Sequence, residues 1–594
     1  MPVDMPNRSL PGDDNPNVPA DKPRRALGRP RRPRWPWITL VVVLGAVVGV
    51  GGWLGWKVLT VQHELTAARA LVGNVQSGGD VKQSLTEMAG HAERAVSATE
   101  DPLWRVAENV PWAGDNLRAA RLASESLDVL AGGLAVPALQ ALQSESDDPM
   151  LVRLLPVLQR SSARVGELNT EVRQIRQSPN LISQVGAGIE QVSEVLELAQ
   201  PVLDIVPGML GAEGDRNYLL VAQNNAETLA LGGSAASQSL VRISEGKIEI
   251  VKQADSGDYQ WGVPADVDID QSAIDLYNEY LVNNVNTSVG RPDWPTAAKT
   301  VVALWNRDID PEPVDGVISV DPLALARVMR ATGPITIEGR EFNSDNVVSF
   351  LLSEAYALYD PEVADEIFKG VALAVMDSLV GGDFDAAELL SAITESIDAG
   401  SLMFWSADPE VQQMISGWRV AGILPTANLP TTTIGVFFRD ASLGSKIDYY
   451  LETEAEVTST CQPDGTIDFT VSVTVWLPLT DEEVRELPPY VVGGNDPDAK
   501  RFRTQVFLYG PPGTEVTDVL PLQKGDSSHW RPPDMTDLGR PTPSFMTVQQ
   551  RGGGKVTVGA TFTGQPGEFG PLEVRTTPMV RPTQVTINDG CGAR

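Results

Sequence analysis

Residues 217–254 read NYLLVAQNNAETLALGGSAASQSLVRISEGKIEIVKQA, and the fold turns on how this stretch is parsed. Tyr218–Ala222 is a short apolar run of strand character, followed by the amide-rich loop Gln223-Asn224-Asn225-Ala226-Glu227. Gly232-Gly233 marks a flexible turn. Ser239–Ile243 and Lys247–Lys252 are two more strands around the tight turn Ser244-Glu245-Gly246. A strand running into a polar loop and a glycine turn is where α/β folds place ligands. Gln223, Asn224, Asn225, Glu227, Gly232, Gly233 and, if it points inward, Arg242 are therefore the candidate ligand-binding residues. Amides of this kind suit sugar hydroxyls; they also cap neighbouring helices.

Strands and helices keep alternating downstream, which predicts an α/β domain over residues 212–440. Val314–Val320 reads as a strand and Pro322–Thr332 as a helix, with Asp321 before it and proline in its first position. Gly333-Pro334 stops that helix, Ile335–Ile337 returns as a strand, and Glu362–Leu379 is amphipathic.

Upstream, residues 1–34 are rich in Pro, Arg, Asn and Asp and read as a disordered basic tail. Trp35–Trp56 carries no charge, and its 22 residues extend about 33 Å as a helix, the thickness of a bilayer core. Tryptophans stand at both of its ends, and the cluster RRALGRPRRPR precedes it. These features predict one transmembrane helix, 35–58, with a cytoplasmic N-terminus and an extracytoplasmic remainder in the plasma membrane. A cleaved signal peptide is the competing reading, but the apolar run is long and no A-x-A site follows it. Residues 61–205 have helical periodicity, as in Ile182, Val185, Ile189, Val192 and Leu196, and predict a helical stalk or bundle.

The C-terminal part, 445–594, alternates with period two, as in IDFTVSVTVWL (467–477), and predicts an immunoglobulin-like β-sandwich. Its two cysteines, Cys461 and Cys591, are the only ones in the chain. In an extracytoplasmic compartment they are expected to pair.

The formal net charge is −32, and the first 35 residues are net positive, so the remainder is more acidic still. Such a body repels polyanions, which excludes nucleic acid as a partner. Three histidines, His63, His91 and His529, lie in three different regions, so no histidine triad or metal cluster is expected and no cofactor is implied. No phosphate loop, nucleophile elbow or dinucleotide fingerprint is present. Asp266, Asp268 and Asp270 have calcium-loop spacing, but Gln271 and Tyr277 stand where glycine and glutamate are needed, leaving a solvated acidic turn.

RNYLLVAQNNAETLALGGS (216–234) resembles the hallmark of the actinobacterial domain-of-unknown-function family DUF4012. DPLWRVAENVPWAGDNL (101–117), DGVISVDPLALARVMRATGPITIEG (315–339) and GSKIDYYLE (444–452) extend the resemblance over most of the chain. The arginine of that hallmark is Leu229 here. More distantly, the strand–loop–strand–turn–strand order of 217–255, the 315–339 segment and the helices of 344–379 are similar to LytR–CpsA–Psr domains. That resemblance implies transfer of glycopolymers from a polyprenyl-pyrophosphate carrier, held by arginines and a magnesium-binding aspartate. Those charges do not carry over: the matching positions are Gly233–Ala236, Ala254-Asp255, Leu351 and Leu352. A pyrophosphate needs cations, and amides and carboxylates stand there instead. The sequence therefore predicts an anchored envelope protein that binds or helps assemble a wall or lipid-linked glycopolymer without catalysis. A LytR–CpsA–Psr-type glycopolymer phosphotransferase and an extracellular ligand sensor are the alternatives.

Overall fold

A computed structural model describes residues 35–76, 81–111, 113–143, 148–359, 361–382, 384–442, 445–489, 491–493, 501–550, 552–565, 567 and 569–591. The basic tail of residues 1–34 lies outside them. The chain divides into two compact units, one up to Leu59 and one from Thr60 onward.

Helix α1 (Trp35–Gln76) is continuous, so the uncharged tryptophan-bounded run is helical throughout. Near its end Trp53 and Trp56 are exposed, with the Lys57 ammonium over both rings.

In the second unit, helices α2 (Val81–Thr99), α3 (Pro102–Ala107), α4 (Gly114–Asp128), α5 (Val136–Gln143), α6 (Met150–Arg176) and α7 (Ser183–Met209) make a helical region. A π-helical turn, Val129–Ala135, joins α4 to α5. Leu122, Val165, Leu168, Val172, Ile189 and Leu196 form its core. The 101–117 motif acts structurally here: Trp104 is fully buried and its indole N–H donates to the Leu117 carbonyl at 3.2 Å. Among the residues whose side chains are described, which exclude 35–48, Gly114–Leu142 is the one helical run long and apolar enough to cross a membrane by length and composition. Its side chains serve the helical core: Ala119 and Leu122 are buried in it, and Arg121 donates to Glu108 and Glu125.

The 217–254 stretch forms three antiparallel strands, β1 (Arg216–Leu229), β2 (Gly232–Ser244) and β3 (Lys247–Asp255). Here the structure corrects the sequence reading. Gln223–Glu227 belongs to β1, because β2 starts at Gly232 and pairs back along it, with bulges after Ala222 and Asn224.

Two small helices, α8 (Gln271–Tyr277) and α9 (Tyr280–Asn283), lead to α10 (Trp294–Asp308). Strand β4 (Gly316–Val320) pairs parallel to β1, and α11 (Pro322–Thr332) follows with the Asp321 carboxylate accepting from Ala324 N–H at 2.8 Å. A hairpin, β5 (Ile335–Ile337) and β6 (Arg340–Phe342), precedes the helices α12 (Val347–Ser349), α13 (Ala355–Leu358), α14 (Pro361–Gly381) and α15 (Ala386–Asp398). Strand β7 (Leu402–Ser406) then completes a mixed sheet of order β3-β2-β1-β4-β7. Trp294, Val301 and Trp305 of α10 pack on one face against Leu219, Val221, Leu240 and Val317.

The strand-rich C-terminal region is two five-stranded sheets. One has the order β12-β17-β10-β9-β19, built from Thr514–Val519, Val556–Gly564, Ile467–Trp476, Glu452–Cys461 and Gln584–Asp589. The other is β13-β16-β11-β8-β18, built from Ser527–His529, Ser544–Gln550, Arg501–Tyr509, Thr432–Asp440 and Leu572–Thr576. Period two is visible in β10: Phe469, Val471, Val473 and Val475 are buried, while Thr470 and Thr474 hydrogen-bond Thr561 and Thr557 on the outer face. Ile434, Val436, Phe438 and Val506 of the other sheet meet them in a shared core. Strand β8 lies inside the range the sequence assigns to the α/β domain, yet it pairs only within the C-terminal sheets. Eight of its nine positions are buried, a run with no alternation to mark it as half of a sandwich. Cys461 and Cys591 form a disulfide, with Cα atoms 5.5 Å apart.

Candidate functional site

The bulged end of β1 places its amides in a buried network. Gln223 is 4% exposed; its Nε2 donates to Ser319 Oγ at 2.6 Å and its Oε1 accepts from Gly233 N–H at 2.8 Å. Asn225, 1% exposed, donates to the Asp321 carboxylate and to the Pro578 carbonyl, both at 3.0 Å. Asn224 donates to the Tyr356 hydroxyl at 2.9 Å, and its oxygen accepts from Ala226 N–H. These side chains join β1 to β4, to the helix pair and to the C-terminal segment, so their polar atoms face protein. The glycines make the close approach possible. A Cβ on Gly233 would stand 1.9 Å from the Asn224 carbonyl oxygen, and Gly232 has φ +134° with Gln223 Oε1 against it.

Arg242 is not part of this group. Its register partner is Asn217, at the opposite end of β1, where it donates to the Asn217 side chain at 3.1 Å and to both Glu312 oxygens at 2.8 and 2.9 Å.

Glu227 leads to residues that the sequence reading left out of the site. Ser234 Oγ donates to one of its oxygens at 2.5 Å, and the Lys446 ammonium pairs with the other. Lys446 also lies over the Tyr356 ring, 5.0 Å from its centroid. Two further carboxyl groups come in here, Asp440 from the last position of β8 and Asp448 from the segment after it. Burial and the Glu227 charge push Asp440 up to about 6, against the opposing hydrogen bonds of Ser442 and Ser445. Asp448, 3% exposed, is pushed well above the ordinary carboxylate range by burial and by the charges of Asp440 and Glu227, although Thr228 donates to it. Asp440 and Asp448 therefore hold a proton more tightly than ordinary carboxyl groups and titrate as a coupled pair beside Glu227. The signal for this cluster was in GSKIDYYLE, whose Lys446 and Asp448 carry it; nothing in the spacing from Glu227 marks them as neighbours.

A second cationic centre borders the β1–β2 turn. A crevice of about 40 Å³ is bordered by Leu231, Met403, Arg419, Phe437, Arg575 and Pro578. Arg575 pairs with Glu573, Nε to Oε1 at 3.0 Å, and donates to the Ile423 carbonyl at 2.9 Å. Arg419 donates through Nε and Nη2 to the Asp398 carbonyl. Arg540, 1% exposed, donates to the carbonyls of Thr433, Gly510 and Pro425. Burial and the neighbouring Arg575 charge lower both Arg419 and Arg540 to about 10. Burial raises Glu573, but bonds from Arg575 and Thr433 and the arginine charges outweigh it and hold the carboxylate low.

Among the described residues no group of three or more His, Cys, Asp or Glu side chains is arranged to hold a metal ion. Residues 213–356 match the family described as protein of unknown function DUF4012, and this segment, which carries β1 to β4 and the first helices after them, belongs to that family. No curated protein and no solved structure matches the chain.

Proposed function

We propose that the protein is a single-pass, membrane-anchored envelope protein whose extracytoplasmic body binds or helps assemble a cell-wall or lipid-linked glycopolymer and performs no chemistry on it. One observation carries the non-catalytic part. The polar groups at the ends of β1 and β4, where an α/β sheet presents its reacting groups, are engaged with protein: Gln223 with Ser319, Asn225 with Asp321, Glu227 with Lys446. The uncharged helical run 35–56 with its end tryptophans supports the anchor. The disulfide and the acidic body suit an oxidising exterior.

The central sheet, with β1 to β3 antiparallel and β4 parallel to β1, supports a LytR–CpsA–Psr-like domain. The sandwich with its shared core supports an immunoglobulin-like one, although β18 and β19 both run parallel to their neighbours. The test is the full chain in detergent micelles, given a polyprenyl-pyrophosphate-linked saccharide and magnesium. Retention of the lipid-linked saccharide without turnover is the expected result. Release or transfer of the saccharide overturns the non-catalytic reading, and failure to retain any lipid-linked or soluble wall saccharide overturns the ligand class.

A further inference from the structure

At the crevice bordered by Arg419 and Arg575, positive charge meets a small apolar-walled space. Three guanidinium groups, Arg419, Arg540 and Arg575, gather there. The carboxylate among them is Glu573, with the exposed Asp398 the further acid within electrostatic reach of Arg419. Glu573 is already taken by Arg575 and by the Thr433 hydroxyl at 2.8 Å. Arg540 spends its donors on backbone carbonyls, and Arg575 on Glu573 and Ile423. Arg419 is different: both of its bonds go to one carbonyl, through Nε and Nη2, and its side chain borders the crevice.

A like-charged group of this kind, in a chain of net charge −32, is costly to hold together without a counter-ion. The space fits one. About 40 Å³ corresponds to roughly three water-sized volumes, the size of a carboxylate or phosphate head, and Leu231, Met403 and Phe437 supply an apolar wall for what carries it. A guanidinium fork matches such oxyanions in shape as well as charge.

We propose that this crevice is a binding site for the oxyanion of a ligand, a carboxylate or a phosphate ester, with Arg419 making the direct contact and Arg575 completing the positive wall. The site stands on the crevice alone and does not need the glycopolymer reading to hold. Its three parts come from different regions: Leu231 from the β1–β2 turn, Arg419 from the segment after α16 (Pro409–Ile415), and Arg575 from β18. A ligand there would touch both the central sheet and the sandwich.

The experiment uses the full chain in detergent micelles with inorganic phosphate, acetate and glucuronate as separate probes, each against chloride at matched ionic strength. At least one probe should raise Tm saturably, and Arg419→Gln should weaken its binding at least tenfold while leaving the probe-free Tm within a few degrees of the parent. Stabilisation by phosphate but not by glucuronate assigns a phosphate-bearing ligand; the reverse assigns a uronate. Phenylglyoxal labelling of the parent chain, followed by peptide mass spectrometry, gives a readout independent of the variant's folding: the effective probe should slow modification of Arg419. A Tm response no greater than that of chloride, an undiminished response in Arg419→Gln, or labelling of Arg419 unaffected by every probe would overturn the assignment.

Discussion

Asp440→Asn tests the physical account of the acidic cluster beside Glu227. The native structure holds Asp440 at about 6 against an ordinary value of 3.8, a difference of about two units, because burial and the Glu227 charge oppose ionisation. At about 1.4 kcal/mol per unit this is about 3 kcal/mol of linkage. The residue is half-buried and solvent screens part of that, so about 1–2 kcal/mol is the working figure. The sign follows from which state binds the proton more tightly. The folded chain does, so the stabilisation from this group is complete below about pH 3.8 and is lost as pH rises through about 6. Asparagine keeps an acceptor for the Ser442 N–H, 2.7 Å away in the parent, and never ionises.

The stability of Asp440→Asn minus that of the parent should therefore be near zero around pH 4 and grow to about +1–2 kcal/mol by pH 8. At about 2–4 °C per kcal/mol this is a rise of a few degrees in Tm. Asp448→Asn should behave alike, and the double variant should gain less than the sum, because the two acids share one titration. Thermal unfolding of the full chain in micelles, followed by near-UV circular dichroism from pH 4 to pH 8.5, gives the difference curve. A variant less stable than the parent at pH 8, or a difference that does not change with pH, would show that the fold does not disfavour the ionised Asp440, and the account would be wrong.

Three other outcomes follow from the geometry. Asn225→Ala removes two buried donors, to Asp321 and Pro578, and should lower stability by about 2–4 kcal/mol without changing phosphate, acetate or glucuronate binding at Arg419; an unchanged Tm would return these amides to the ligand site. Replacing Cys461 and Cys591 with serine opens a loop of 130 residues, so Tm under oxidising conditions should fall, with a loss up to about 5 kcal/mol by chain entropy, and the variant should then be insensitive to reductant. Residues 213–356 expressed alone lack β7, Lys446 and Pro578, and should show no cooperative unfolding transition; a sharp transition in near-UV circular dichroism would contradict this.

The local signals of this fold were legible and the long-range ones were not. Period two in 467–477, the Asp321-Pro322 helix start and the uncharged run 35–56 each express a geometry that repeats within a few residues, and the elements formed where those patterns lie. The QNNAE segment misled because amides and a following Gly-Gly pair look the same in a loop as in a bulged strand. What decides between them is β2 pairing back through Gly232 and Gly233. Strand β8 was unreadable as part of a sandwich for a related reason: buried at nearly every position, it has no alternation. The acidic cluster and the arginine crevice escaped because their members lie about 150 to 350 residues apart, as Glu227 and Lys446 or Leu231 and Arg575 do, and only the packing of one sheet against another brings them together.

That packing has a consequence for how a ligand could be recognised. The central sheet and the sandwich are joined by buried polar bonds. Arg291, 2% exposed, makes a two-pronged pair with Asp537 at 2.7 and 3.0 Å; Tyr277 and Tyr509 share a hydroxyl–hydroxyl bond at 2.6 Å; Arg439 donates to the Tyr277 carbonyl. Thr577 donates to Ala230, beside the Asn225–Pro578 bond. Sliding the sheets apart would leave several of these groups desolvated and unpaired, at about 1–3 kcal/mol for each neutral group and more for the Arg291–Asp537 pair. Closure of the two regions around a ligand, as in a hinged binding protein, is therefore disfavoured by the very contacts that would have to break. A crevice set into that seam, between Leu231, Arg419 and Arg575, keeps its shape without a ligand, and binding there relies on preorganisation instead of domain motion.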